Sequence, residues 1–210
     1  SFDYNYWSSP VSTILDSDVN NGYTLDNVLK DGTIVDNPRD LNWTGRNVRD
    51  GSEGNATTAA TISGRWLYKY GNLTSNTYSN WTYVGKDGLL KAGEGFTMKG
   101  TNQANRYNFI GTPNNGNITA LNLVTNHYAL LGNPYPSAID ADIFNSTMLA
   151  SNITDGALYF WDQPTGSSHY QDQYDGGYAT RIAGVGAPAA GVTSASTPTN
   201  VIKPGQGFIV

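Results

Sequence analysis

The chain has 210 residues and is rich in turn formers: it contains 24 Gly and 9 Pro, while only 14% of its residues are charged. The formal net charge is −5, and the 12 Lys and Arg residues are scattered singly, so the sequence offers no basic stripe for nucleic-acid phosphates. Cysteine is absent, which excludes disulfides, thiolate zinc sites and cysteine nucleophiles. We therefore expect a turn-rich protein that does not bind nucleic acid.

The acidic residues argue against long helices, and the apolar runs argue against membrane-spanning segments. Fifteen of the 17 acidic residues are Asp, which favours turns and caps over helix interiors. The longest apolar runs, such as residues 128–131 and 157–161, are far shorter than the roughly 20 residues that span a bilayer. We expect no membrane insertion.

Clusters of aromatic and β-branched residues between Gly, Asn, Asp and Pro predict short strands along the whole chain. In chain order these are residues 2–7, 33–35, 65–70, 81–84, 95–99, 107–110, 118–124, 128–131, 157–161, 177–181 and 207–210. A single segment, residues 140–149, has helical spacing behind an Asp cap. The pattern predicts an all-β protein, an antiparallel, jelly-roll-like β-sandwich with one short helix.

Three blocks of sequence recur in the same order. Residues 7–10, 66–70 and 90–96 resemble residues 131–134, 157–161 and 202–208, respectively. We expect Trp7, Trp66 and Phe96 to occupy places equivalent to Leu131, Leu158 and Phe208. Blocks that persist while the loops between them change length indicate duplication. The prediction is a first β repeat over residues 1–112 and a second over residues 113–210, either as two units or as one continuous sandwich.

Five segments carry a resemblance to a known group of proteins. They are residues 4–11 (YNYWSSPV), 92–101 (AGEGFTMKGT), 111–116 (GTPNNG), 131–140 (LGNPYPSAID) and 158–162 (LYFWD). They resemble a segment of large secreted, adhesin-like proteins of flavobacteria and related Bacteroidetes, which are exported by type IX secretion. The resemblance implies an extracellular, cell-surface location, and it supplies no catalytic motif.

Catalytic machinery is not recognisable in the sequence. The histidines are His127 and His169, and neither a Gly-x-Ser-x-Gly elbow nor a His-Glu-x-x-His helix is present. We therefore expect a protein that is not an enzyme.

A single segment has the spacing of a calcium loop. Asp16, Asp18 and Asn20 place oxygen ligands at positions one, three and five, as calcium loops do. The sequence then differs from a calcium loop at two positions. Asn21 occupies position six, where such a loop has Gly, and Asn27 occupies position twelve, where a bidentate Glu closes the site. The alternative is a plain Asx-rich turn. Apart from calcium, we expect no cofactor.

The aromatic residues have two interpretations. The chain contains 5 Trp, 14 Tyr and 6 Phe, and exposed rings on a β face bind sugars by stacking. Alternating rings also fit a sandwich core and its cross-strand pairs. Trp43, which lies in a loop-like context, is the candidate for an exposed sugar-stacking ring.

These observations favour a non-catalytic structural or adhesive module that folds outside the cell. The alternatives are a carbohydrate-binding module and an accessory domain of an exported hydrolase. We expect partners at open β edges, formed by the terminal strands at residues 2–7 or 207–210. Those partners are flanking domains or other copies of the chain, and surface polysaccharide is a further candidate.

Overall fold

The computed structural model describes residues 4–14, 19–71, 81–101, 106–119, 123, 127–163, 176–193 and 195–210. Within these residues the chain forms short strands, two α-helices of 4 and 10 residues, and a 3-10 helix at Gly64–Trp66. No helix in this part of the chain is long and apolar enough to cross a membrane. The prediction of an all-β fold is confirmed.

The elements follow one another at short intervals. They are β1 (Tyr4–Trp7), β2 (Val11–Ser12), α1 (Leu25–Val28), β3 (Leu29–Asp31), β4 (Arg39–Asp40), β5 (Asn42–Trp43), β6 (Thr61–Ile62), β7 (Tyr68–Lys69), β8 (Thr82–Tyr83), β9 (Phe96–Lys99), β10 (Tyr107–Phe109), β11 (Thr112–Pro113), β12 (Leu130–Gly132), β13 (Ile139–Asp140), α2 (Ala141–Ala150), β14 (Ala157–Asp162), β15 (Gly177–Ile182), β16 (Val185–Ala187), β17 (Val201–Ile202) and β18 (Gly207–Ile209).

The largest sheet among the described residues has five strands in the order β12-β18-β14-β15-β16. A three-stranded sheet has the order β10-β3-β4, and the remaining strands form the pairs β1-β9, β2-β11, β13-β17, β5-β6 and β7-β8. Within these sheets β5 and β6 run parallel and the other pairs are antiparallel. How the sheets stack as a sandwich stays a prediction.

The first half differs from the predicted strands at two places. Residues 33–35 form a turn, because the buried carboxylate of Asp31 at the end of β3 accepts hydrogen bonds from the backbone N–H and hydroxyl of Thr33. Residues 64–66 form the 3-10 helix, so the predicted strand over 65–70 is reduced to β7. Most of the predicted strand 118–124 lies outside the described residues.

The helix predicted over residues 140–149 is confirmed as α2. The Asp140 side chain accepts hydrogen bonds from the backbone N–H groups of Asp142 (2.8 Å) and Ile143 (3.1 Å), which caps the first turn. These bonds to the charged form hold the pKa of Asp140 below its usual value.

The first and third sequence blocks lie at matching places in the two halves. Trp7 is paired with Phe96 between β1 and β9, and Leu131 is paired with Phe208 between β12 and β18. Both phenylalanines are buried, as expected.

The turn before each phenylalanine is also the same in the two halves. Gly93 and Gly205 have positive φ angles of 86° and 70°. The side chains of Glu94 and Gln206 each accept a hydrogen bond from the backbone N–H group three residues back in the turn, that of Lys91 (2.8 Å) and that of Lys203 (2.9 Å), respectively. The recurring sequence therefore specifies a recurring turn.

The second block matches as residues 66–70 align with residues 157–161: Leu67 and Leu158 hold the same position, and both are fully buried. Trp66 ends the 3-10 helix, whereas Leu158 lies within β14, so the expected equivalence of these two residues is wrong. The block begins in a helical turn in the first half and in a strand in the second half.

A reciprocal set of hydrogen bonds joins the two halves. The Ser8 N–H donates to the Gly205 carbonyl (2.7 Å), and the Gly132 N–H donates to the Gly93 carbonyl (3.1 Å). Ser8 and Gly132 hold the same position in the first block, and the two accepting glycines hold the same position in the third. The contact is therefore close to two-fold symmetric.

Within the described residues, the buried apolar side chains form three groups. One lies in the first half around Phe96, one lies in the second half around Phe208, and the third joins the halves through Tyr6, Leu130 and Ile209. The predicted boundary between residues 112 and 113 falls within β11, which pairs with β2. The third group packs the halves against each other.

Residues 207–210 do not form the open edge that was expected from their place at the end of the chain. β18 lies between β12 and β14, and Val210 exchanges two backbone hydrogen bonds with Ala129 (3.0 and 3.1 Å). Among the described residues, the free edge of this sheet is β16, where no strand was predicted. The apolar, uncharged sequence of residues 207–210 reflects burial at the centre of the sheet.

Candidate functional site

The predicted calcium loop is described only at its last ligand. Asp16 and Asp18 lie outside the described residues. The side-chain oxygen of Asn20 accepts a hydrogen bond from the Asn115 N–H (2.9 Å), and its NH₂ group donates to the Asn115 carbonyl. No group of three or more His, Asp and Glu side chains suited to a metal occurs in the described part of the chain. The calcium site stays a prediction.

Trp43 lies in a strand rather than in the expected loop. It forms β5 with Asn42 and is paired in parallel with Ile62 of β6. Its ring is partly buried against the core of the first half, so Trp43 is not a freely exposed ring. The accessible part of the side chain lines a cleft.

The cleft has a volume of about 350 Å³ and lies between the segments that follow β5 and β8. Its lining residues are Trp43, Thr44, Gly45, Gly64, Tyr83, Val84, Gly85, Lys86 and Asp87. Two glycines bring its walls close together. A Cβ atom at Gly64 would lie 2.4 Å from the Thr44 carbonyl oxygen, and one at Gly85 would lie 3.0 Å from the Tyr83 hydroxyl.

A cluster of stacked cations and rings begins at the Tyr83 wall of this cleft. The guanidinium carbon of Arg46 lies 4.6 Å from the centre of the Tyr83 ring and 5.9 Å from that of Tyr68. The two rings meet edge to face at 5.4 Å. Three residues before Tyr68, the Arg65 guanidinium lies 5.4 Å from the centre of the Trp66 ring. We call these five residues the arginine–ring surface.

Local hydrogen bonds fix the loop that carries Arg46. The Thr44 N–H donates to the Ile62 carbonyl (3.0 Å), and the Ser63 hydroxyl donates to the Val48 carbonyl (2.7 Å). The indole N–H of Trp66 donates to the Arg49 carbonyl (2.7 Å). The loop over residues 44–49 is therefore held against β6 and the 3-10 helix on both sides of Arg46.

The arginines of this region differ from most other cations of the chain in having no carboxylate partner. The described ion pairs are Lys30–Asp40, Arg39–Asp31, Lys69–Glu94, Lys86–Asp26, Lys86–Asp87 and Arg181–Asp142. Within the part of the chain that the structure describes, Arg46, Arg49 and Arg65 form no ion pair. Residues 46–65 of this acidic protein thus carry three arginines without a direct ion pair in the described residues, and Asp50 and Glu53 lie in the same stretch of sequence.

A second groove, of about 470 Å³, lies in the second half between α2 and the hairpin of β15 and β16. Its lining residues are Asp142, Ile143, Asn145, Ser146, Leu149, Asp155, Gly156, Ile182, Ala183 and Gly184. The side-chain oxygen of Asn145 is buried there without a hydrogen-bond partner, although its NH₂ group donates to the Gly156 carbonyl. Asp142 is held by a two-pronged contact with Arg181, at 2.7 and 2.6 Å.

Sequence reasoning identified Trp43 but missed Arg46, Tyr68 and Tyr83. The Arg-Trp-x-Tyr spacing of residues 65–68 was a local signal that placed a cation beside two rings. The stacking of Arg46 on Tyr83 depends on the pairing of β7 with β8 and on the docking of a distant loop, so no local signal identified it. His169 lies outside the described residues.

Comparison with known proteins gives a family without an assigned activity. No curated protein and no solved structure matches the chain significantly. The family described as a domain of unknown function, DUF8693, matches residues 47–210. Since this match covers well over half of the chain, the protein belongs to the DUF8693 family.

Proposed function

We propose that the chain is a non-catalytic structural and adhesive module of an extracellular bacterial surface protein, and that it contacts a second copy of itself through one face. That face consists of the second groove and the free edge strand β16. The observation that carries the proposal is the apolar character of this face. The resemblance to secreted, adhesin-like proteins supports the location.

The contact face exposes large apolar side chains from α2, β15 and β16. The exposed fractions are 68% for Ile143, 51% for Leu149, 48% for Ile182 and 70% for Val185. Single exposed apolar residues are normal, but a group of them around one groove is typical of an interaction surface.

The edge strand lacks one common protection against pairing, a charged side chain. Residues 182–193 contain no charged residue, whereas natural edges commonly carry Lys or other charges. Within the described residues, no strand pairs with the outer side of β16. A second copy fits this edge because two identical antiparallel strands close around a two-fold axis. Such pairing extends the five-stranded sheet across the interface and buries Val185 of both chains.

Light scattering tests this proposal over the micromolar range. We expect the wild-type chain to have the mass of a dimer and Val185→Lys to have the mass of a monomer, because the substitution places a charge in the interface. Val35→Lys is the matched control, since Val35 is 60% exposed in the first half, away from β16. A monomeric wild-type chain, or dissociation by both substitutions, would contradict the proposal.

A second candidate function is carbohydrate binding at the cleft beside Trp43. The specific observation in its favour is that Trp43 and Tyr83 line one cleft while an exposed guanidinium lies against the Tyr83 ring. This site lies in the first half, so it leaves the face around β16 free. The two functions are compatible in an adhesive module.

A further inference from the structure

We infer that the arginine–ring surface and the adjoining cleft bind an acidic polysaccharide, with a sugar carboxylate on Arg46 and a sugar ring in the cleft between Trp43 and Tyr83. The inference rests on the carbohydrate-binding candidate described above and names its ligand class. It is independent of self-association through β16.

Arg46 is held in a position that suits anion binding. Its guanidinium lies against the Tyr83 ring at 4.6 Å, and one of its N–H groups donates to the Tyr68 hydroxyl at 3.4 Å. Arginine offers a planar fork that binds a carboxylate through two parallel hydrogen bonds. Because stacking on the ring already restricts the side chain, less conformational entropy is lost when an anion binds.

The charge balance of the surface also favours an anion. Arg46, Arg49 and Arg65 have no carboxylate partner in the described residues, although the chain as a whole carries a net charge of −5. The acidic residue that lines the cleft, Asp87, is paired with Lys86 at 2.7 Å. The repulsion that Asp87 would exert on an incoming carboxylate is therefore reduced.

The cleft supplies the apolar part of the site. Its volume of about 350 Å³ lies at the lower end of the range for small-molecule sites and suits a short stretch of a sugar chain. Trp43 and Tyr83 provide the ring surfaces, and Gly45 leaves the rim open, since nothing lies within 4 Å of a Cβ built at that position.

The sparse charge of the surface favours an acidic sugar chain over nucleic acid. Three arginines in a protein of net charge −5 do not provide the long positive track that many phosphates require. Sparse carboxylates along a polysaccharide match this arrangement better.

Calorimetric titration of the 210-residue chain with polygalacturonate and with neutral dextran tests the inference. We expect binding to polygalacturonate that weakens as salt is added, and much weaker binding to dextran. Arg46→Gln should weaken polygalacturonate binding about tenfold, the loss of one good charged contact. Arg106→Gln is the matched control, because Arg106 is also exposed but lies directly before β10, outside this surface.

Further variants separate charge from geometry. Arg46→Lys keeps the charge but loses the planar fork, so we expect binding between that of the wild type and that of Arg46→Gln. Tyr83→Ala should weaken binding to a similar degree, because it removes both the ring wall and the support for Arg46. Thermal unfolding of each variant, compared with the wild type, checks that the fold is intact.

Three results would overturn the inference. Equal binding of dextran and polygalacturonate, with loss of both in Tyr83→Ala, would retain the carbohydrate-binding candidate but refute its acidic ligand. Absence of binding to both polymers would refute the candidate and the inference together. If Arg46→Gln and Arg106→Gln weakened polygalacturonate binding equally, the binding would be a non-specific electrostatic attraction rather than binding at a defined site.

Discussion

The two halves of the molecule keep the same strand pairing but use different local chemistry to hold it. In the second half, β18 is hydrogen-bonded to β12 on one side and to β14 on the other. In the first half, β9 is paired with β1, and its other side is joined to β7 through one hydroxyl: Thr97 accepts from the Tyr68 N–H at 3.0 Å and donates to the Trp66 carbonyl at 2.7 Å. In the first half, the Thr97 side chain thus makes the connection that backbone pairing makes between β18 and β14 in the second half.

The helices show the same kind of difference. A short pairing precedes each of them: Tyr23 is bridged to Leu90 before α1, and Ile139 is paired with Ile202 before α2. The second helix has 10 residues behind the Asp140 cap, whereas the first has 4 residues behind Thr24, whose side chain makes no capping hydrogen bond. A helix therefore follows the short pairing in both halves, and it is longer in the second half, where a side chain caps its first turn.

The two halves thus share the register of their strand pairs, whereas the elements between the paired strands differ. The first half contains β3 to β6 and the loop over residues 44–49, and that added material brings Arg46 onto Tyr83 of β8 in the arginine–ring surface. The second half contains the hairpin of β15 and β16 and the longer helix, which provide the apolar face. The two candidate sites therefore arise where the halves differ.

Truncating the two central phenylalanines should give the largest effect. Phe96→Ala and Phe208→Ala each remove a buried ring at the same position of the two halves, and each should lower the free energy of unfolding by about 3 to 5 kcal/mol. Because a shared apolar group joins the halves, we expect one cooperative transition in urea for both variants. Leu89→Ala, at an exposed position, is the control. Separate transitions would show that the halves fold independently.

Removing the charge of Asp31 tests the loop structure that distinguishes the first half. Burial raises the pKa of this carboxyl group, but hydrogen bonds from Thr33, Arg39 and Ala60 outweigh burial and hold the pKa below its usual value. Asp31→Asn should therefore lower the free energy of unfolding by about 2 to 3 kcal/mol at neutral pH.

The pH dependence of this effect has a definite sign. A carboxyl group with a lowered pKa stabilises the fold above its unfolded pKa of about 3.9, and this contribution is lost as the pH falls through the still lower folded value. The difference between the wild type and Asp31→Asn should thus be constant from about pH 5 to 7 and should shrink below about pH 4. A difference that stays constant down to pH 2 would rule out this role for the charge.

The contact between the halves should give the smallest of the three effects. A methyl group at Gly132 would lie 2.3 Å from the Cβ atom of Ser8, so Gly132→Ala should cost about 1 to 3 kcal/mol through overpacking. Gly45→Ala meets no neighbouring atom and should change the free energy of unfolding by less than about 0.5 kcal/mol. Equal effects of the two substitutions in thermal unfolding would argue against a tight contact at Ser8.

The candidate sites were only partly predictable. Trp43 was identified because a ring between Asp, Asn, Thr and Gly stands out locally, but its burial against the first-half core depends on strands that are distant in sequence. Arg46 has no local signal, since its partners Tyr68 and Tyr83 lie 22 and 37 residues further along the chain. The sequence predicts no strand at β16, because the small residues of this segment have low strand propensity by themselves.

The sequence by itself determined the all-β class, the capped helix at residues 141–150, and the recurring turn before Phe96 and Phe208. Each of these depends on residues that are close in the chain: turn formers, an N-cap, or a glycine with a positive φ angle. Only the tertiary structure decided that residues 207–210 lie at the centre of a sheet, that β16 forms its edge, and that Arg46 stacks on Tyr83. These features depend on which distant strands pair, and pairing is selected by packing of the whole core rather than by any local preference.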